Sequence, residues 1–272
     1  MAAVEVAEVS PQDVARVRAA LVERAPLVQC LTNSVVQTIT ANVLLAAGAA
    51  PAMVDNVPES AQFAAVASAV LVNVGTLDEV RARAMALAAE AAQRSGTPWV
   101  LDPVAVGGLA FRTGVARDLL QFAPTVVRGN ASEVLALAGA GAGGRGVDST
   151  AGAEEAVEAA RDLSRRTGGA VAVSGAVDVV VHGDRTVRVR GGHVLLTRTT
   201  GAGCSLGALV AACAGVEADP LLAAATAHAH VALAAERAAR RAARPGSFAT
   251  AWIDELDAVD APDLGSDTGR FA

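Results

Sequence analysis

The sequence predicts one α/β domain built on a doubly wound, mostly parallel sheet. Three observations predict it. Short apolar runs alternate with segments of helical spacing for most of the length. Several runs, such as Ala69-Val70-Leu71-Val72, are apolar at every position, as strands covered on both faces are. No linker splits the 272 residues and no repeat of fixed period runs through them. The chain is 53% hydrophobic, with much of that alanine, which suits closely packed helices. Residues 1–260 are therefore read as one domain, with 261–272 as a flexible tail.

The elements follow in order. Residues 1–10 read as a loose end. Segment 11–24 spaces Val14, Val17 and Leu21 along one helix face, behind Ser10 as N-cap. Segment 26–31 is a buried strand ending at Thr32-Asn33, and 34–47 a helix closed by Gly48. A short strand (50–54), a helix (58–68), a strand (69–74) and a helix (78–94) come next. Strand 98–101 stops at Asp102-Pro103, helix 115–122 follows, and strand 125–127 stops at Arg128-Gly129-Asn130. Helix 131–138, a Gly-rich loop (139–150), helix 154–167 and strand 170–173 lead to Ser174-Gly175. A hairpin (177–182, 187–190) turns at Gly183-Asp184. Three helices, 203–216, 219–241 and 248–258, complete the domain.

Composition narrows the function. All 22 basic residues are arginines, and tyrosine is absent. This excludes a P-loop lysine, a Schiff-base lysine, a protein-kinase lysine and a Tyr/Lys dehydrogenase pair. The net charge of −6 without a basic block argues against nucleic acid or an anionic membrane as partner. No apolar run reaches the ~20 residues that span a bilayer. The acidic N-terminus lacks the order of a signal peptide, so a cytoplasmic protein is expected. Cys30, Cys204 and Cys213 are too scattered for a disulfide framework or a metal site.

In open α/β sheets, ligands bind beyond the carboxyl ends of the strands. The residues there are Thr32-Asn33, Met53 to Asn56, Asn73, Asp102, Arg128-Gly129-Asn130 and Ser174. Thr199-Thr200-Gly201-Ala202-Gly203-Cys204 joins them at the start of a charge-free, Ala-rich helix. Glycines let a ligand approach the backbone, and the first N–H groups of a helix attract anions. Two readings stay open locally: a tight packing turn, or a phosphate site with a thiol beside it. Ordinary explanations exist elsewhere too. Asp102 precedes Pro103 in a common turn, and Asn130-Ala131-Ser132-Glu133 spells a capping box. Met53 suits a core, and Cys30 and Cys213 suit inert packing. His228 and His230, two apart on a helix, do not form a metal pair. The run Gly139 to Gly144 imitates a dinucleotide motif but follows a helix, so its required context is missing.

Taken together, these segments resemble the hydroxyethylthiazole kinase family of the ribokinase-like superfamily. The likeness is carried by Gly201-Ala202-Gly203 followed by Cys204, where most of the superfamily has Asp. Gln29-Cys30-Leu31-Thr32-Asn33, Gly48 to Met53, Leu71 to Leu77, Val100 to Val104, Arg128 to Glu133, Val173-Ser174-Gly175, Val177-Asp178, Pro220 to Ala223 and Gly246-Ser247-Phe248 match in the same order. The resemblance covers residues 25–255.

It implies a three-layer α/β/α fold and ATP-dependent phosphorylation of 4-methyl-5-(2-hydroxyethyl)thiazole with Mg²⁺, a thiamine-precursor salvage step. It also implies a homotrimer with sites between subunits. Asn33, Met53 and Gly201 would meet the thiazole, and Arg128, Ser174 and Asn130 the ATP. Asp102 and Glu133 would organise Mg²⁺, directly or through water. Gly201, Ala202 and Gly203 would form the anion hole, and Cys204 would face the alcohol. Its helix N-terminus would lower the thiol pKa. Ser34, Ala105 and Ser174 stand where the family pattern has an aromatic, a glycine and a threonine. Two competing readings are a ribokinase-like kinase for another small alcohol, such as a hydroxymethylpyrimidine, and a non-catalytic sensor of the same fold.

Overall fold

The computed structural model describes residues 9–140 and 152–272. Its strands are β1 (Leu27–Leu31), β2 (Ala50–Ala52), β3 (Ala69–Asn73), β4 (Trp99–Asp102), β5 (Val126–Asn130), β6 (Ala170–Ser174), β7 (Val177–His182) and β8 (Arg185–Arg190). The helices are α1 (Pro11–Arg24), α2 (Gln37–Ala47), α3 (Ser60–Ala64), α4 (Glu79–Ser95), α5 (Ala110–Leu119), α6 (Ala131–Ala138), α7 (Val157–Thr167), α8 (Ala202–Ala214), α9 (Pro220–Arg241), α10 (Pro245–Ala258) and α11 (Ala261–Gly265). The strands form one sheet in the order β2-β1-β3-β4-β5-β6-β7-β8. The first six are parallel, and β7 and β8 are antiparallel.

Period-two alternation feeds two cores. Ala69 and Leu71 of β3 face a layer containing α1, α2, α8, α9 and α10. Val70 and Val72 face the opposite layer of α4, α5, α6 and α7. Each fully buried Val or Leu contributes about 1.5–3 kcal/mol, and β3, β4 and β6 accordingly carry no polar residue before their last position. Side chains start the helices where the sequence places them: Ser10 and Asp13 form a capping box on α1, and Asp78 caps α4.

Several boundaries shift by a few residues from the sequence reading, and three differences are structurally informative. Helix α5 starts at Ala110, ahead of Gly114, and ends in a 3₁₀ turn over Leu120–Phe122. Helix α10 starts at Pro245, which suits the first helical position. The segment 261–272, read as a flexible tail, packs. It forms α11, and Ala272 exchanges backbone hydrogen bonds with Arg188 at 2.7 and 3.1 Å. Arg270 is buried against Glu236, with Nη2 3.1 Å from Oε2. The outer edge of β8 would otherwise expose unpaired backbone groups, and this segment pairs with it. Residues 1–8, most of the glycine run that imitates a dinucleotide motif, and most of loop 139–150 lie outside the described residues.

The strand order places the site. From β1 the chain moves outward to β2, then crosses back to β3 on the other side of β1. Such a reversal opens a crevice between the carboxyl ends of β1 and β3. Helix α8 packs over β1, β3, β4 and β5, and its first turn lies at that crevice.

Candidate active site

A line of side-chain contacts crosses the carboxyl edge of the sheet. Asn33, just past β1, donates from Nδ2 to Asn73 Oδ1 at 3.0 Å and approaches Cys204 Sγ at 3.5 Å. Asn73 ends β3 and donates from Nδ2 to Asp102 Oδ2 at 2.8 Å. That oxygen lies 3.9 Å from Arg128 Nη1, and Arg128 Nη2 donates to Ser174 Oγ at 2.7 Å. The parallel register sets Asn73 beside Asp102, and Asn130 beside Ser174. Cys204, Asn33, Asn73, Asp102, Arg128 and Ser174 thus form one continuous chain, mostly buried.

The glycine turn makes this chain possible. Gly201 has φ +87°, and a Cβ there would stand 2.5 Å from Ile39 Cγ2. Only glycine therefore lets α8 begin against the start of α2. Gly203 and Gly207, four apart on one helix face, would carry Cβ atoms 3.1 Å from Arg128 Nη1 and from Asp102 Oδ2. The Ala202 N–H is taken by Thr199 O at 3.2 Å, so the first-turn donors beyond it are those of Gly203 and Cys204.

Burial dominates the electrostatics. Asp102 is fully buried, and desolvation pushes its carboxyl up to about 7; Glu133 adds to the rise, while Arg128 and Asn73 oppose it. Its Oδ1 has no hydrogen-bond partner. The expected lowering of the Cys204 pKa is reversed. Desolvation, followed by the charge of Asp102, pushes this thiol up to about 11. Sequence shows a helix N-terminus but not how deeply the thiol is packed, and here burial outweighs the dipole. The group is a neutral thiol near pH 7.

The remaining predicted residues divide. Glu133 is buried behind Gly129, and desolvation raises its pKa. Its Oε1 accepts from the Ala105 N–H at 2.9 Å and its Oε2 from the Asn130 N–H at 2.8 Å. Asn130 Oδ1 accepts from the Glu133 N–H at 3.0 Å, so the capping box forms. Asn130 therefore serves helix α6 first. Ala105 has φ +56°, in the left-handed region, which accounts for the glycine the family pattern has there. Met53 follows the edge strand β2 and is half-buried against the core, apart from the hydrogen-bonded chain. Asn73 was legible only as a strand-end amide; its link to both sides needs the β1–β3–β4 adjacency.

The residues fit a magnesium ion held largely by other ligands. Asp102 Oδ1 is a buried acceptor without a partner, whereas both Glu133 oxygens already accept backbone hydrogen bonds. Among the described residues, no three His, Cys, Asp or Glu side chains cluster to hold a metal. Mg²⁺ typically takes one or two carboxylates, with waters and substrate phosphates filling its other positions.

A parallel sheet with a polar crevice at its switch point, closed by a glycine-initiated helix, defines a ribokinase-like α/β protein. A solved pyridoxal kinase from Staphylococcus aureus shares the fold, with TM-score 0.60 at 17% identity over 78% of this chain and 88% of that one. A family model described as "HK: Hydroxyethylthiazole kinase family" matches residues 19–261. A relative from Kineococcus radiotolerans named hydroxyethylthiazole kinase is 79% identical over the full length of both chains. One of the same name from Corynebacterium glutamicum is 56% identical over 90% of this chain and 92% of that one. A solved hydroxyethylthiazole kinase protein from Pyrococcus horikoshii superposes with TM-score 0.87 at 38% identity, covering 95% of this chain and 98% of that one. The chain belongs to the hydroxyethylthiazole kinase family.

Proposed function

We propose that the chain phosphorylates the primary alcohol of 4-methyl-5-(2-hydroxyethyl)thiazole with ATP and Mg²⁺, in thiamine-precursor salvage. The observation that carries this reading is the continuous chain from Cys204 to Ser174, whose two ends would serve the acceptor and the nucleotide. Family membership supplies the acceptor. Asn33, Gly201 and Cys204 would hold the alcohol, with Met53 packing on the thiazole from the β2 edge. Arg128 and Ser174 would bind the ATP phosphates, next to Asn130.

Phosphoryl transfer needs positioning and charge neutralisation more than covalent chemistry from the protein. The N–H groups of Gly203 and Cys204 and the Arg128 guanidinium would neutralise charge on the transferred group. Cys204, a neutral thiol, would orient the alcohol oxygen, whose proton would pass late to an oxygen of the transferred phosphoryl group as the new O–P bond forms and the bond to ADP breaks. Asp102 would bind Mg²⁺ through Oδ1, with Glu133 acting through water and through its grip on the loop at Ala105. When bound, Mg²⁺ supplies charge neutralisation on the phosphate oxygens.

A homotrimer with the site completed by a neighbouring subunit is part of the proposal. Val35, two residues after Asn33, is 66% exposed and Val66 71%, apolar surface of the kind a neighbouring subunit would cover. A cytoplasmic location is likewise part of the proposal; separately, no helix among the described residues is long and apolar enough to cross a membrane.

An ATP-dependent assay on a panel of alcohols, run with and without magnesium, tests the reading. The thiazole alcohol should be converted to its phosphate only with magnesium. Product from a hydroxymethylpyrimidine but none from the thiazole alcohol would overturn the acceptor. No transfer to any alcohol, with nucleotide still bound, would favour a sensor.

A further inference from the structure

A second hydrogen-bonded chain reaches the nucleotide side from α9. The turn after β6 begins at Ser174, the hydroxyl that accepts from Arg128. The next N–H, of Gly175, donates to Asp178 Oδ1 at 2.8 Å. The other Asp178 oxygen accepts from His228 Nδ1 at 2.6 Å. His228 sits within α9 with a fully buried side chain, and its Nε2 has no partner. The imidazole thus directs its one polar contact at Asp178. Burying a ring nitrogen without a partner costs free energy that an apolar side chain would not incur in this Ala-rich helix. Gly175 is also closely packed, since a Cβ there would stand 2.9 Å from Ala153 Cβ.

We propose that His228 is a positioning residue for the nucleotide. Through Asp178 it fixes the Ser174-Gly175 turn, and with it the hydroxyl that orients Arg128. The inference rests on the assignment of ATP to Arg128 and Ser174. Outer partners of metal ligands change affinity or activity about 10–100-fold when removed, and the lower end of that range is the effect expected for this phosphate-side pair. The alcohol side, built from Asn33 and Cys204, lies beyond Asp102 and is not held by this chain.

The test is calorimetric titration of ATP without acceptor, together with KM for both substrates, on the full-length protein. His228→Leu and Asp178→Ala should each weaken ATP binding about tenfold and leave KM for the alcohol unchanged. The double variant should bind no more weakly than either single one, because both break the same chain. His228→Asn, whose amide can stand where Nδ1 stands, should restore most of the affinity. Asp178 is only partly buried, so Asp178→Ala keeps the test available if His228→Leu does not fold. Wild-type ATP affinity in Asp178→Ala, or an equal loss for both substrates, would overturn the inference. Failure of the wild-type protein to bind ATP would overturn both the inference and the nucleotide assignment beneath it.

Discussion

Asp102 and His230 are both buried titratable side chains, one at the carboxyl edge of the sheet and one in the α9–α10 layer. Their surroundings differ. His230 Nε2 donates to Leu256 O at 2.9 Å, and desolvation, then the charge of Arg18, pushes its pKa down to about 3. The ring stays neutral and bonded. Asp102 has one oxygen shared with Asn73 and the other unpartnered, and its carboxyl is pushed up to about 7. The helical layer neutralises the group it buries. The sheet edge keeps a costly carboxylate available, as functional sites do at the expense of stability.

Substitutions at the two places should therefore read out differently. Among the neighbours of Asp102, the largest effect is expected from Asn73→Ala, which severs Asp102 from Asn33. Turnover should fall about 10–100-fold while the far-UV spectrum stays native. Turnover within about twofold of wild type would show that the two sides do not communicate through this amide.

A smaller effect is expected from Cys204→Ala. A thiol with its pKa near 11 orients the alcohol without taking its proton, so turnover should drop on the order of tenfold or less, about 1.4 kcal/mol. Complete loss in a folded protein would give Cys204 the role of base.

His230 provides the smallest effect, on stability alone. The unfolded chain takes up a proton near pH 6.5, while the native ring does so only near 3. Its contribution is present above pH 6.5 and is lost as the pH falls below that value. The wild-type melting temperature should decline from pH 7.5 to 4.5 more steeply than that of His230→Gln. Parallel declines would show that other groups set the acid sensitivity.

Much of the fold was legible because strand ends coincide with polar residues. Asp102 and Ser174 close β4 and β6 directly after apolar runs. The order β2-β1-β3 was not legible, since short apolar strands carry no label for their neighbours. The importance of Asn73 was hidden for the same reason. The Cys204 pKa went the other way from expectation because local sequence displays the dipole of α8 and conceals the packing around it. The tail beyond Ala261 reads as polar and short of apolar residues, yet Arg270 and Phe271 find partners on α9 and β8 that only the assembled sheet supplies.

The central claim is that the buried carboxylate of Asp102 serves the chemistry and not the fold. Melting temperature and turnover of Asp102→Asn, measured side by side at pH 8 with melting in metal-free buffer, test it most directly. The variant should melt at or above the wild-type temperature and turn over at least about 100-fold more slowly. Turnover within about threefold of wild type would contradict the account, since transition-state charge would then be stabilised without this carboxylate.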